Sequence, residues 1–75
     1  LIFDNEPRNR EIIKNIEKAI DEDYNVVIWP LDIEEKDIND MIISGLTNVE
    51  ITDIIHRNTF SGLQAKTQLS HWKKI

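Results

Sequence analysis

Two acidic clusters, each placed shortly after an apolar run, contain the side chains that could do chemistry. Asp4-Asn5-Glu6 follows Leu1-Ile2-Phe3, and Lys36-Asp37-Ile38-Asn39-Asp40 follows the run from Tyr24 to Trp29. If the two runs are parallel strands joined by a helix, both clusters lie at the carboxyl edge of one sheet, where open α/β sheets bind ligands. The pattern therefore predicts a site for a divalent metal ion.

The first cluster supplies two carboxylates that can share one ion. Asp4 and Glu6 are two residues apart, so both side chains point the same way if the chain is extended there. Mg²⁺ typically takes one or two carboxylates, keeps several waters and completes its shell with substrate phosphate oxygens. The alternative is that Asp4 or Asn5 caps the following helix. The residues alone leave both interpretations open.

The second cluster is open to two interpretations as well. Asp37 precedes Asp40 by three residues and is well placed to cap the helix that begins there. Lys36 can contact a phosphate, or it can pair at the surface with Glu34 or Asp37. The combined positions of these residues favour a metal site, because three potential ligands follow two strands that β-α-β order places side by side. These ligands are Asp4, Glu6 and Asp37.

Hydrophobic periodicity predicts the elements that must position these clusters. Apolar residues at helical spacing predict an amphipathic helix over about residues 8–22, with Pro7 suited to its first position. The β-branched and aromatic run 24–29, closed by Pro30, predicts a buried strand. Two strands joined by one helix predict a right-handed parallel crossover and hence an α/β fold.

Three further helices are predicted beyond this unit. A short helix from about residue 38 should end at Gly45. Thr47-x-x-Glu50 is a capping box that predicts a helix to about Asn58, with an apolar face formed by Val49, Ile51, Ile54 and Ile55. Ser61-x-x-Gln64 repeats the signal and predicts a last helix over about residues 61–73, which should bury Leu63, Leu69 and Trp72.

The charges of the chain are divided between its two ends. Residues 1–53 hold all 14 acidic residues and 5 basic ones, for a net charge of −9, whereas residues 54–75 hold 4 basic and no acidic ones, for +4. The acidic part repels phosphate unless a cation intervenes, while the basic part can approach phosphate directly. A solvated basic helix is the plain alternative.

Composition excludes several classes of protein. Cys is absent, which excludes a disulfide scaffold, a Cys-based zinc site and thiol catalysis within these residues. No apolar run approaches the roughly 20 residues that a membrane span needs, so we expect a soluble cytosolic protein without a membrane partner. The chain opens inside an apolar run without an initiator Met, which predicts a piece of a longer protein.

Together, these motifs resemble the C-terminal part of the Toprim domain in DNA primases of T4-type bacteriophages. The resemblance covers essentially the whole chain, including D-N-E-P-R, the strand ending in Trp29-Pro30, K-D-I-N-D-M-I and the closing F-S-G-L-Q-A-K-T-Q-L-S-H-W-K-K-I. K-D-I-N-D is similar to the K-D-x-N-E element of phage and mitochondrial primase-helicase relatives, and D-N-E to the second acidic motif of the Toprim fold. D-N-E departs from the commoner D-x-D, although Glu can replace Asp as a Mg²⁺ ligand with a longer reach.

The resemblance implies a partial Toprim, Rossmann-like fold with a short parallel sheet over residues 1–46, followed by a helical extension over residues 47–75. It implies that Asp4, Glu6 and Asp37 hold Mg²⁺ or Mn²⁺ and that Lys36 belongs to the same catalytic element. The complete enzyme would synthesise short RNA primers from ribonucleotides on single-stranded DNA, in the cytoplasm of an infected bacterium. Zinc is implied only for an upstream domain outside these residues, and the segment alone is not expected to be active.

Two alternatives assign function differently. In one, the chain is an interaction module whose last helices dock a replicative helicase; in the other, it belongs to another Toprim enzyme, such as a nuclease. Lys66, Lys73 and Lys74 are the candidate contacts for nucleic acid or a protein partner. Because four basic residues give only a modest electrostatic attraction, docking of the apolar helix face is the favoured role for residues 54–75.

Overall fold

Four helices and one small sheet make up the fold in a computed structural model, which describes residues 1–75. In chain order the elements are α1 (Arg10–Asp21), β1 (Val26–Val27), α2 (Ile38–Ile43), α3 (Asn48–Arg57), β2 (Thr59–Phe60) and α4 (Gly62–Trp72). The fold is therefore α/β, as predicted. None of the helices is long and apolar enough to cross a membrane.

The sheet differs from the predicted one. β1 pairs with β2 in antiparallel fashion, with Val26 opposite Phe60 and Val27 opposite Thr59. Leu1 does lie beside β1, because its amino group donates to Asn25 O at 2.7 Å and its carbonyl accepts from Val27 N at 3.0 Å. These two bonds come from a single residue, and no strand forms at the start of the chain. The prediction of a parallel two-strand sheet is wrong.

The buried run that contains β1 divides the core into two parts. Side chains 26–29 are all buried and alternate in direction, as a strand with both faces covered requires. Val26 and Ile28 join a larger cluster with α1 and α4, whereas Val27 and Trp29 join a smaller one with Met41 of α2 and Ile51 of α3. The prediction of a fully buried segment here is confirmed, although the ladder itself is only two residues long.

α1 forms as its periodicity predicts and packs one face on the core. Its buried residues are Ile13, Ile16, Ala19 and Ile20. The N-cap is Asn9, whose Oδ1 accepts from the backbone N–H groups of Glu11 and Ile12. Pro7 therefore lies outside the helix rather than at its first position. The helix ends with Asp23 in the left-handed region at φ 65°.

The later helices confirm most of the capping signals. Thr47 and Glu50 form the complete capping box at the start of α3, and Gly45 ends α2 at φ 111°. Ser61 is the N-cap of α4 but makes no side-chain capping bond. The structure thus corrects the expected capping box at Ser61.

Two apolar residues predicted to be buried are exposed instead. Leu63 of α4 is 80% exposed and Val49 of α3 is 79% exposed. In α4 the buried face is formed by Ala65, Leu69 and Trp72. Leu63 precedes Ala65 by two residues, which places it about 200° around the helix axis from that face.

Candidate catalytic edge

The first acidic cluster forms a tight turn rather than an extended chain. The backbone N–H of Glu6 donates to Asp4 O at 2.9 Å, the bond that closes a three-residue turn. The chain is therefore not extended at residues 4–6, which was the condition for the side chains of Asp4 and Glu6 to point the same way. Asp4 is exposed, while Glu6 is half-buried and its Oε2 accepts from Asn9 Nδ2 at 3.1 Å.

Asn5, between the two carboxylates, is the best-anchored residue of the cluster. It is the one buried polar residue of the chain, at 8% exposure. Its backbone N–H donates to Lys36 O at 2.6 Å, and its Nδ2 donates to Ile33 O at 2.8 Å and Glu35 O at 3.0 Å. Its Oδ1 accepts from Trp72 Nε1 at 2.9 Å. Every donor of the amide side chain is satisfied, so the turn is fixed to two distant segments.

These bonds bring the two acidic clusters together. Lys36, whose carbonyl accepts from Asn5, directly precedes Asp37, so segments 4–6 and 36–37 adjoin through the backbone. We refer to these two segments as the acidic edge. They meet without the shared parallel sheet that was predicted to place them there, because hydrogen bonds from the backbone and side chain of Asn5 connect them instead.

The side chains of the second cluster have local roles. Asp37 is the N-cap of α2, and its Oδ1 accepts from Asp40 N at 2.8 Å, which confirms the capping interpretation. The other carboxylate oxygen of Asp37 makes no hydrogen bond within the chain. Lys36 is exposed and forms no ion pair, so the predicted surface pairing with Glu34 or Asp37 is absent. Lys36 and one oxygen of Asp37 are thus available to a ligand.

The acidic edge offers the type of ligand atom that suits a hard cation. Carboxylate oxygens are the protein ligands that Mg²⁺ prefers, and one or two of them suffice when water and phosphate complete the shell. No three His, Asp or Glu side chains of the chain converge in an arrangement that could hold an ion. Asp4, Glu6 and Asp37 therefore offer ligands from two adjoining segments without forming a three-ligand cage.

The candidate lysines near the end of the chain lie in two different places. Lys66 Nζ is 3.8 Å from Asp21 Oδ1, and Lys66 and Lys73 line a groove of about 360 Å³ between α1 and α4 together with Glu17. Lys74 lies at the opposite end of α1, where its backbone N–H donates to Pro7 O at 2.8 Å. The acidic face of α1 thus offsets part of the positive charge of residues 54–75.

Sequence reasoning considered Asn5 only as a possible helix cap, a role that Asn9 fills, and missed its contact with Trp72. Both tryptophans are buried, at 3% exposure, as predicted for Trp29 from its place at the end of a buried strand and for Trp72 from its helical spacing. A buried indole needs an acceptor for its N–H, and this need is the signal that could have revealed the contact. Trp29 Nε1 donates to Phe3 O at 2.9 Å, and Trp72 Nε1 donates to Asn5 Oδ1. Each indole thus fixes a different part of the segment 3–5.

Comparison with known proteins gives one informative relationship. No protein-family profile matches the chain, so the Toprim assignment stays a prediction. The chain is 38% identical over 76 aligned positions to the DNA primase of Enterobacteria phage T4. The alignment covers 99% of the chain but only 22% of the length of that primase. The chain is therefore related, over nearly all of its residues, to one segment of a phage DNA primase.

Proposed function

We propose that this chain is part of the catalytic region of a phage DNA primase, which synthesises short RNA primers on single-stranded DNA. The observation that carries the proposal is the 38% identity to T4 DNA primase over 99% of the chain. Such similarity along the whole chain is more specific than any of the short acidic motifs alone. Within this proposal, residues 1–46 contribute to a Toprim domain and residues 47–75 extend it with helices.

The acidic edge is the proposed centre of the chemistry. Asp4, Glu6 and Asp37 would hold Mg²⁺ or Mn²⁺, and the remaining ligands would be water, substrate phosphate or residues of other parts of the primase. When bound, such an ion supplies charge neutralisation at the phosphates and at the attacking 3′-hydroxyl. Support comes from the bond between Asn5 N and Lys36 O, which joins the two segments that bear these carboxylates.

Two other residues of the chain have proposed roles at this edge. Lys36 is exposed and unpaired, so its ammonium group would contact a substrate phosphate. Asn5 is a positioning residue, because its side chain is directed to Ile33, Glu35 and Trp72 and is not free to bind substrate. Its role would be to hold the turn 4–6 at a fixed distance from Lys36.

The proposal is tested by primer synthesis in the complete primase with one carboxylate changed at a time. Glu6→Gln and Asp37→Asn keep the shape of the side chain and one acceptor oxygen, which is enough for its hydrogen bond within the chain, but remove its charge. We expect each to lower the rate of primer synthesis at least about 100-fold, because the ion loses a charged ligand. Asp32→Asn, in the exposed loop before Lys36, is the matched control. Equal activity of all three variants would contradict the proposal.

A second candidate function, docking to a replicative helicase, is supported by the exposure of Leu63. Leu63 is 80% exposed on α4, the helix for which docking to a replicative helicase was predicted. In that case Leu63→Asp would weaken association with the helicase, and changing Lys66, Lys73 and Lys74 together to Gln would not. Phosphate contacts by the lysines would instead give single-stranded DNA binding that falls steeply with salt. Measuring the two associations separately distinguishes these roles.

A further inference from the structure

Arg8 and Lys74 form a pair of unengaged basic side chains beside the acidic edge. They line a cleft of about 330 Å³ and also a second, neighbouring cleft that includes Glu6 and Asn9. The bond from Lys74 N to Pro7 O holds the two segments together at 2.8 Å. The only ion pairs of the chain are Arg57–Asp53 and Lys66–Asp21, so neither Arg8 nor Lys74 is neutralised by a partner.

The first cleft has the mixed chemistry of a nucleotide site. Its wall includes the apolar side chains of Pro30 and Leu31, and Leu31 is 65% exposed. Trp72 also lines the cleft, where its indole N–H is already bonded to Asn5. Such a surface can cover one face of a base while cationic side chains next to it bind phosphate.

From these contacts we propose that Arg8 and Lys74 bind a phosphate group of a nucleotide, with the base lying against Pro30 and Leu31. The choice of a nucleotide as ligand rests on the proposed function, whereas the cationic pair and the apolar wall rest on the cleft itself. Arg8 supplies a planar set of donors suited to two phosphate oxygens, and Lys74 supplies a second positive charge. Glu34 lines the same cleft, and its negative charge should weaken the binding of an anion there.

The overall charge of the protein makes this inference specific. A net charge of −5 repels phosphate at most of the surface, so binding has to depend on a local cationic pair. Lys14, an exposed lysine of α1 that forms no ion pair and lies outside the cleft, provides an internal comparison. If general attraction to any exposed lysine were sufficient, replacing Lys14 would weaken binding as much as replacing Lys74.

The two indole N–H groups allow a direct NMR test without added metal. The Trp72 indole signal reports on the cleft. The control is the Trp29 indole, which lies in the smaller core cluster, outside the cleft, and is bonded to Phe3 O. We expect ATP or a short oligothymidylate to shift the Trp72 signal in a saturable manner while the Trp29 signal stays unchanged. Saturation by ATP alone identifies a free nucleotide as the source of the phosphate; saturation by the oligonucleotide alone identifies the strand.

Variants establish which side chains bind the ligand. Arg8→Gln with Lys74→Gln should weaken binding at least about tenfold, since two charge-assisted contacts are lost. Glu34→Gln should strengthen binding, and Lys14→Gln should leave it unchanged. For the oligonucleotide, neutralisation of one phosphate predicts a slope of about −0.7 in log affinity against log salt concentration. No ligand-dependent shift of Trp72, or equal weakening by Lys14→Gln, would overturn the proposal. Because metal is absent, the result is independent of the primer-synthesis test of the acidic edge.

Discussion

Trp72 Nε1 donates a hydrogen bond to Asn5 Oδ1 at 2.9 Å, which joins two residues 67 positions apart. The same amide side chain donates to the loop that precedes α2, so one residue connects the first turn, that loop and the last helix. The acidic edge therefore depends on an uncharged residue between its two carboxylates.

Replacing Asn5 with Ala should strongly destabilise the fold. The change leaves Ile33 O, Glu35 O and the buried Trp72 Nε1 without partners, and an unsatisfied buried group costs about 1–3 kcal/mol. We expect the free energy of unfolding in urea to fall by about 2–4 kcal/mol. Asn39→Ala, on the exposed side of α2, is the matched control and should change it by less than about 0.5 kcal/mol. Equal losses in the two variants would contradict the anchoring role of Asn5.

The bond between Trp72 and Asn5 can be isolated by a double-mutant cycle. Trp72→Phe removes the indole donor while keeping an aromatic ring in the cluster. We expect its cost in unfolding free energy to be smaller in the Asn5→Ala background, with a coupling of about 0.5–1.5 kcal/mol. Additive effects of the two changes would show that the bond contributes nothing to stability.

Replacing Asp23 with Gly should stabilise the protein. Asp23 follows α1 at φ 65°, a conformation that costs a residue with a Cβ more than it costs Gly. Its negative charge also opposes the helix dipole. The expected gain in unfolding free energy is about 0.5–1 kcal/mol, measured by urea or thermal unfolding. Glu22→Gln, one residue earlier, removes a charge without changing the backbone requirement and serves as the control. A Gly variant less stable than the Gln variant would argue against the role of the backbone.

The capping box of α3 should make stability depend on pH. Hydrogen bonds from Thr47, the backbone N–H first and the side chain second, lower the pKa of Glu50 below its ordinary value. A lowered pKa contributes stability that is present above the unfolded-state pKa and is lost as pH falls through the folded-state value. We therefore expect stability to decline on acidification below the ordinary Glu pKa, and the Glu50→Gln variant to lose this component. Gln retains the capping geometry, so an unchanged pH profile in that variant would contradict the assignment.

Local signals predicted much of this fold, and distant contacts account for what they missed. Periodicity and capping residues located α1 and α3, and the apolar run before Pro30 located the buried segment of β1. β2 is only two residues long, too short for an alternating pattern to be visible in the sequence. The sequence therefore predicted a parallel partner for β1 where the structure has an antiparallel one.

The candidate site shows the same division between local and distant information. Carboxylate spacing identified the two clusters, and β-α-β reasoning predicted that they adjoin. They do adjoin, but through bonds from Asn5 to Lys36 and to the loop before it. The partners of Asn5 lie 28 or more positions away, and no local pattern specifies such contacts.

Paramagnetic broadening by Mn²⁺ in an NMR titration tests most directly whether the two clusters form one cation-binding edge. We predict that millimolar Mn²⁺ broadens the amide signals of Asp4, Glu6 and Asp37 first and together, because one ion approaches both segments. Affinity should be weak, since only one or two carboxylates contribute and no phosphate completes the shell. Broadening centred instead on Asp21, Glu22 and Asp23, an acidic cluster at the end of α1, would contradict the proposed edge.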